Sequence, residues 1–333
     1  MKHYNIPVFV PHMGCPHDCV FCSQKTITGT QDIMTPAKAK EIIDNFLEEI
    51  KPRGYVEIAF FGGSFTGIPR DERIAFLEVA SEYIKKGLVS GIRLSTRPDY
   101  ITDEILAELK SYGVTAIELG VQSMDSEVLS LSGRGHDSEC VKKAVDLIRK
   151  YPFELGLQMM TGLPGDTYEK SLQTANEFVK LKPDTVRIYP TLVIKGTYLE
   201  KMYQSGTYVP MTVESAAELL GDLKEIFDSS GIRIIRMGLQ TTDEISRDGE
   251  VVAGPFHEAI GELAKSSVFL KKLYKLLEGF KEPVAVIGCN SGEVSQVIGH
   301  KRCNADAIYN KYKIKLVAIP DNMIDKGKLK ILR

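Results

Sequence analysis

From residue 6 to about residue 190, short apolar runs alternate with segments whose apolar residues recur at helical spacing. No other feature constrains the fold as much, because repeated strand–helix units of this kind build a parallel sheet with helices packed on it. Six strands are read: IPVFV (6–10), YVEIAFF (55–61), GIRLST (91–96), TAIELGVQ (115–122), ELGLQMM (154–160) and TVRIYP (185–190). Helix starts are legible between them. Thr35 and Pro36 supply an N-cap and a first helical residue ahead of Ile42, Ile43, Phe46, Leu47 and Ile50, and Thr102 caps the run Ile105, Leu106, Leu109. Six units fall short of a closed eight-stranded barrel. The expected class is therefore α/β, an incomplete (β/α)6 barrel.

Beyond about residue 212 longer helical patterns appear, then EPVAVIG, two short helical stretches and two closing strands. Residues 1–212 are expected to form the barrel and 213–333 a smaller C-terminal α+β region, a candidate for substrate binding. In parallel α/β folds the loops after the strand C-termini form the active face. Those loops read FGGSFTG, STRPDY, GVQS and QMMTGLPGD, and the insertion after the first strand carries Cys15, Cys19 and Cys22.

Of 333 residues, 43% are hydrophobic and 26% charged, and no run approaches the ~18 consecutive apolar residues of a membrane span. A soluble, cytoplasmic protein with no membrane partner is expected, since MKHYNIPVFVPHMG is too polar for a signal peptide. In a reducing compartment clustered cysteines bind metal or do chemistry rather than pair. Cys140, Cys289 and Cys303 stand apart and are read as ordinary buried thiols. A net charge of −2 gives no global nucleic-acid signature, but residues 301–333 carry nine Lys or Arg against three Asp. That excess marks a candidate polyanion surface, with a solvated face as its plain alternative.

The spacing Cys15-x3-Cys19-x2-Cys22 lets one loop wrap three thiolates around one inorganic centre. Three readings follow. Zinc would take His12 or His17 as a fourth ligand. A ferredoxin-type cluster would need a fourth nearby cysteine, which the sequence lacks. A 4Fe-4S cluster held at three irons would leave the fourth open for another ligand.

CxxxCxΦC after a first strand, with Phe21 before the last cysteine, resembles the signature of the radical S-adenosylmethionine (SAM) superfamily. The resemblance implies a 4Fe-4S cluster on Cys15, Cys19 and Cys22, SAM on its open iron, reductive cleavage of SAM to a 5'-deoxyadenosyl radical, and a flavodoxin- or ferredoxin-type electron donor. It implies that Phe21 packs between cluster and cofactor, and that the backbone at Gly62, Gly63 and Ser64 meets the methionine amino group. Gln122 and Arg134 match cofactor contacts of the oxygen-independent coproporphyrinogen oxidase branch. Ser95 and Gln158 stand where that branch has a glutamate and an aspartate. GLPGD (162–166) resembles the turn bordering the SAM cleft.

TRPDY (96–100), GVQS (120–123), RGH (134–136), YPTLVIKGT (189–197) and GTY (206–208) are similar, in the same order, to the catalytic subunit of Elongator and its prokaryotic relatives. That similarity implies RNA, in particular tRNA-type base modification, with RNA meeting the basic C-terminal region. Two departures accompany it: the first two cysteines are closer together here, and residues 213–333 show no acetyl-CoA pyrophosphate signature. A radical SAM enzyme acting on a small molecule or peptide, and a nonenzymatic zinc-stabilised binding protein, are the alternatives. Arg97 and Asp99 are read as a pair fixing their loop. Arg187, Tyr189 and Lys195 form a candidate substrate-facing set, and residues 292–312 carry a faint helix-turn-helix pattern.

Overall fold

A computed structural model describes residues 3–10, 13–15, 19–23, 34–50, 54–239, 246 and 249–333. His12 and His17, the proposed fourth zinc ligands, lie outside the described residues. Seven strands among them form one parallel sheet: β1 (His3–Phe9), β2 (Tyr55–Phe61), β3 (Gly91–Thr96), β4 (Val114–Gln122), β5 (Glu154–Thr161), β6 (Thr185–Pro190) and β8 (Arg233–Met237). They lie in that order, so the sheet is open, with β1 and β8 at its edges. Helices α1 (Pro36–Ile50), α2 (Arg70–Lys85), α3 (Asp103–Ser111), α4 (Ser126–Leu131), α5 (Ser138–Ile148) and α6 (Tyr168–Leu181) connect the strands. Thr102 caps α3 as its sequence position demands, its side chain accepting the Ile105 N–H at 3.3 Å.

The six expected strands are present, and the seventh is a correction. Buried parallel strands read as continuous apolar runs. β8 reads RIIRM, with arginines at 233 and 236 and none of its residues buried, as an edge strand allows. The chain accordingly folds as two compact units, residues 1–210 with 230–254, and residues 211–229 with 255–333. Residues 230–254, expected in the C-terminal region, belong to the first unit, where β7 (Val193–Ile194) also pairs antiparallel with β9 (Val251–Ala253).

The two faces of the large sheet differ. Ile58, Phe60, Ile92, Leu94, Ile117, Leu119 and Leu157 are buried, and the Phe60 ring stacks on Phe65 at 4.7 Å. On the other face a chain of ions crosses five strands. Arg93, 2% exposed, donates to Glu57 at 3.0 Å, Glu118 at 3.2 Å and Glu154 at 3.0 Å. Arg187 donates to Glu118 at 2.6 Å and 3.1 Å. Buried charges persist only when paired, and these three carboxylates and two guanidiniums satisfy one another.

In the second unit α8 (Val213–Ser229) packs on α9 (Ile260–Leu276), and a three-stranded sheet has the order β11 (Lys315–Pro320), β10 (Val284–Cys289), β12 (Leu329–Ile331). β10 and β11 run parallel, joined through α10 (Val294–Ile298) and α11 (Cys303–Tyr312). The helix-turn-helix pattern resolves into this crossover. With five residues, α10 is too short to brace a recognition helix, and Val297, Ala305 and Ile308 bury their side chains in the unit's own core. Of the three isolated cysteines only Cys289 is fully buried. Cys140 is half-buried and Cys303 is exposed, because each stands in the first turn of a helix rather than on its apolar face.

Candidate active site

The cysteine loop leaves the C-terminal end of β1 and rests on the turn after β2, main chain against main chain. Gly63 N–H and Met13 N–H both donate to Val10 O, at 3.3 and 3.4 Å, and Ser64 N–H donates to Met13 O at 2.9 Å. A Cβ on Gly63 would strike Met13 O and stand 2.6 Å from Val10 O; one on Gly14, whose φ is +70°, would strike Ser64 O and stand 2.6 Å from the carbonyl carbon of Gly67. The close approach that glycine permits is spent here on the cysteine loop itself. Gly62, with φ +92°, makes the turn. Ser64 is fully buried, its Oγ 3.0 Å from Thr96 Oγ1 and accepting Arg97 N–H at 3.3 Å. Its hydroxyl thus serves β3.

Further along, the loop is held from two sides. Val20 N–H donates to Ser132 O at 3.2 Å, and Val20 O accepts Leu199 N–H at 2.8 Å. Leu199 lies in α7 (Tyr198–Gln204), within the stretch that continues YPTLVIKGT. Cys19 and Phe21 are buried with Val128, Leu163, Val193, Leu199 and Tyr208. The Phe21 ring lies in this apolar cluster beside Cys19, with Cys22 packed against it, and there it anchors the loop. Tyr208 donates its hydroxyl to Gly162 O at 2.6 Å. Asp166 closes the same turn, accepting Gly162 N–H at 2.8 Å and Ser171 Oγ–H at 2.7 Å, and burial pushes its carboxyl up despite those bonds.

Arg134 joins the loop to the end of β4. Its Nη1 donates to Cys19 Sγ at 3.3 Å, its Nη2 to Gly120 O, and its Nε to His136 Nε2 at 3.3 Å. A Cβ on Gly120 would press on Gln122 Nε2 at 3.1 Å, while Arg134 Nη2, 3.6 Å away, would be in ordinary contact. Gln122 has φ +71°, a conformation rare outside glycine, where β4 slips register against β5. Its buried Oε1 accepts Gln158 Nε2–H at 3.2 Å. Cys19, Arg134, Gln122 and Gln158 are therefore brought together. Ser95 is half-buried, opposite Glu118 in register and on the face of β3 that carries Arg93.

Arg97 confirms its reading: Nε and Nη2 grip Asp99 at 2.9 and 2.8 Å, and Nη2 also donates to the carbonyl of Arg134. Burial works against its charge, yet Asp99 and then Cys19 and Cys15 in their thiolate form hold it above the usual guanidinium range. Sequence reading assigns His136 no role. Burial first, then the charges of Arg134 and Arg97, lower its imidazole to about 4. Neutral at ordinary pH, it accepts from Arg134 at Nε2 and so carries its proton on Nδ1, which faces Asp137 O at 3.4 Å. Arg187 and Tyr189 do meet, at 3.4 Å, but Glu118 holds the Arg187 guanidinium, and Lys195 is exposed beside Glu250. The expected substrate-facing trio therefore divides between the ion chain and the surface.

The model of the Radical SAM superfamily matches residues 9–178 of this chain, and that of the Radical_SAM C-terminal domain matches 183–269. The chain belongs to the radical SAM superfamily. It is a radical SAM enzyme, and the family uses a 4Fe-4S cluster and SAM. An uncharacterised Methanocaldococcus jannaschii protein is 32% identical over 235 residues, 67% of this chain and 72% of its own. A tRNA uridine(34) acetyltransferase of Methanocaldococcus infernus is 29% identical over 66% of this chain, and human Elongator complex protein 3 is 30% identical over 63%. This chain spans 49% and 46% of those two relatives, about half their length. Among solved structures, the archaeal M. infernus Elp3 superposes with a TM-score of 0.64 at 24% identity, covering 83% of this chain and 63% of that one. Escherichia coli coproporphyrinogen III oxidase shares the fold at a TM-score of 0.50 and 16% identity, over 96% of this chain and 63% of its own.

The donor set suits the family's cluster: three thiols on one loop, none in a disulfide and two of them partly accessible, with the Arg134 guanidinium against it. Among the described residues no three His, Cys, Asp or Glu side chains are already drawn to metal-ligating distance. No helix among them is long and apolar enough to cross a membrane.

Proposed function

We propose that this radical SAM enzyme modifies a uridine base in tRNA, with Cys15, Cys19 and Cys22 as the residues that would hold the 4Fe-4S cluster. The observation that carries the RNA reading is the similarity, over about two thirds of the chain, to a protein named tRNA uridine(34) acetyltransferase and to Elongator complex protein 3. Bound together, cluster and SAM supply one-electron chemistry, the reductive cleavage that yields a 5'-deoxyadenosyl radical.

The protein's share is positional. Glycines 14 and 63 seat the cysteine loop, and Leu199 and Ser132 close on Val20. Arg134 sets positive charge and an N–H donor against Cys19 Sγ. Gln122, at the end of β4, and Gln158, within β5, have amide groups suited to the polar groups of SAM, where a charged pair would have imposed a sign. Ser95 and the main chain of Gly62, Gly63 and Ser64 complete the proposed cofactor set. Electrons would come from a flavodoxin- or ferredoxin-type protein. The half-length match leaves acetyl transfer outside the proposal.

Anaerobic reconstitution with SAM and a strong reductant should give 5'-deoxyadenosine, and nucleosides from the tRNA of a strain lacking the protein should miss one uridine modification. Zinc with no labile sulfide would overturn the cluster. An unchanged nucleoside profile would overturn the RNA substrate and favour a small molecule or peptide.

A further inference from the structure

Several lysines elsewhere on the surface stand beside carboxylates: Lys142 on Glu139 at 2.6 Å, Lys180 on Glu177 at 2.6 Å, Lys265 on Glu262 at 2.7 Å. Residues 301–333 behave differently. None of their nine cations lies within ion-pair distance of a carboxylate among the described residues, and Lys311 and Lys313 lie over tyrosine rings instead. Lys311 Nζ stands 4.2 Å from the centre of the Tyr274 ring and 5.2 Å from that of Tyr312, and Lys313 Nζ is 5.5 Å from that of Tyr309.

The second unit's topology gathers these groups at one end of its sheet. α11 ends at Tyr312, and Lys313, in the left-handed conformation with φ +60°, turns the chain into β11. That C-cap position ordinarily goes to glycine. Lys315 then pairs with Val284 at the start of β10, and Arg333 reaches the same end, its carbonyl accepting Val286 N–H at 2.8 Å. Tyr309, on the last turn of α11, is 54% exposed. Glu278 and Glu282, in the preceding loop, form no ion pair with these cations. Unneutralised charge beside one exposed aromatic ring, that of Tyr309, matches a strand of nucleic acid, whose phosphates meet the cations and one of whose bases stacks on the ring. An acidic protein surface would answer the charge but leave the ring unused.

We infer that this end of the second unit, Lys311, Lys313, Lys315 and Arg333 with Tyr309, docks RNA through its phosphates and an unstacked base. The inference rests on the tRNA reading proposed above. The surface lies beyond residue 269, outside both family matches.

The test is a salt titration of tRNA binding by the full-length, cluster-loaded protein, read by fluorescence anisotropy. Replacing Lys311, Lys313 and Lys315 together by Gln should flatten the slope of log affinity against log salt by about two to three. It should also weaken binding roughly tenfold or more at fixed salt. K142Q/K180Q/K265Q, which removes lysines already paired, should leave the slope alone. Tyr309→Ala should weaken binding about tenfold with the slope unchanged, as loss of stacking requires. A circular-dichroism spectrum and thermal melt matching the wild type's show that the triple variant is folded. The docking surface is overturned if the triple variant binds tRNA like the wild type, whatever the tRNA modification profile shows. It is overturned as well if the wild type binds phosphatidylserine vesicles and not tRNA. The proposed function fails separately, on an unchanged nucleoside profile.

Discussion

Arg134 and Cys19 stand 115 positions apart in the chain, yet a guanidinium N–H points at the sulfur across 3.3 Å. The same guanidinium also serves Gly120 O and His136, so one side chain fixes the cysteine loop, the end of β4 and its own loop together.

Arg134→Lys keeps the charge but loses the planar fork that reaches three partners at once. The variant should fold, retain less than half the labile sulfide after anaerobic desalting, and cleave SAM at least tenfold more slowly. Wild-type sulfide retention and rate in R134K would show that the contact does not matter.

At Gly63 a methyl group would push directly into the carbonyls of Met13 and Val10, which belong to backbone and cannot rotate away. Gly63→Ala should cost about 2–3 kcal/mol or more and lower iron content. Gly206→Ala, which meets no heavy atom within 4 Å, should cost only the strain of its φ of +74°, about 1 kcal/mol. Thermal melts of the two variants, run side by side, make the comparison.

His136 links stability to pH. In the unfolded chain it takes a proton near pH 6.5, in the fold only near 4. Between these values the unfolded state binds more protons, so stability falls as pH drops through that window and is fully present above it. The loss amounts to roughly 3 kcal/mol. His136→Gln, whose amide oxygen accepts from Arg134 without titrating, should flatten the urea-unfolding profile between pH 6.5 and 4. A profile as steep as the wild type's would assign the pH dependence to other groups.

Gln122 separates stability from function. Its φ of +71° costs about 1 kcal/mol that glycine would not bear. Gln122→Gly should therefore melt at or above the wild-type temperature while the KM for SAM rises severalfold. A lower melting temperature together with an unchanged KM would make the residue purely structural.

Much of the sheet was legible because buried parallel strands leave continuous apolar runs, as in YVEIAFF and TVRIYP. β8 escaped because RIIRM is short, broken by two arginines and without a buried residue, so it leaves no such run. The polar interior escaped for the opposite reason: Glu57, Arg93, Glu118 and Arg187 each appear as one charge inside an apolar run, and nothing local announces that they pair across strands. At the site, the three cysteines were legible by spacing. Gln122, Gln158 and Arg134 were legible only through the resemblance, and the structure adds that they share neighbours. His136 sat unassigned in a quoted motif, since its lowered basicity comes from burial and from two arginines far away or adjacent, not from its own residue type. Ser64 and Phe21 show that a matched position can direct its side chain inward.

The cysteine loop is seated by main-chain atoms and by glycines that lack side chains. That division of labour separates what must stay fixed from what is free to drift. Gly14 and Gly63 admit no replacement without moving the loop, whereas the side chain at Met13 takes no part in the seat's hydrogen bonds. A lineage could thus retune the surroundings of its thiols, residue by residue, without unsettling the platform that carries them.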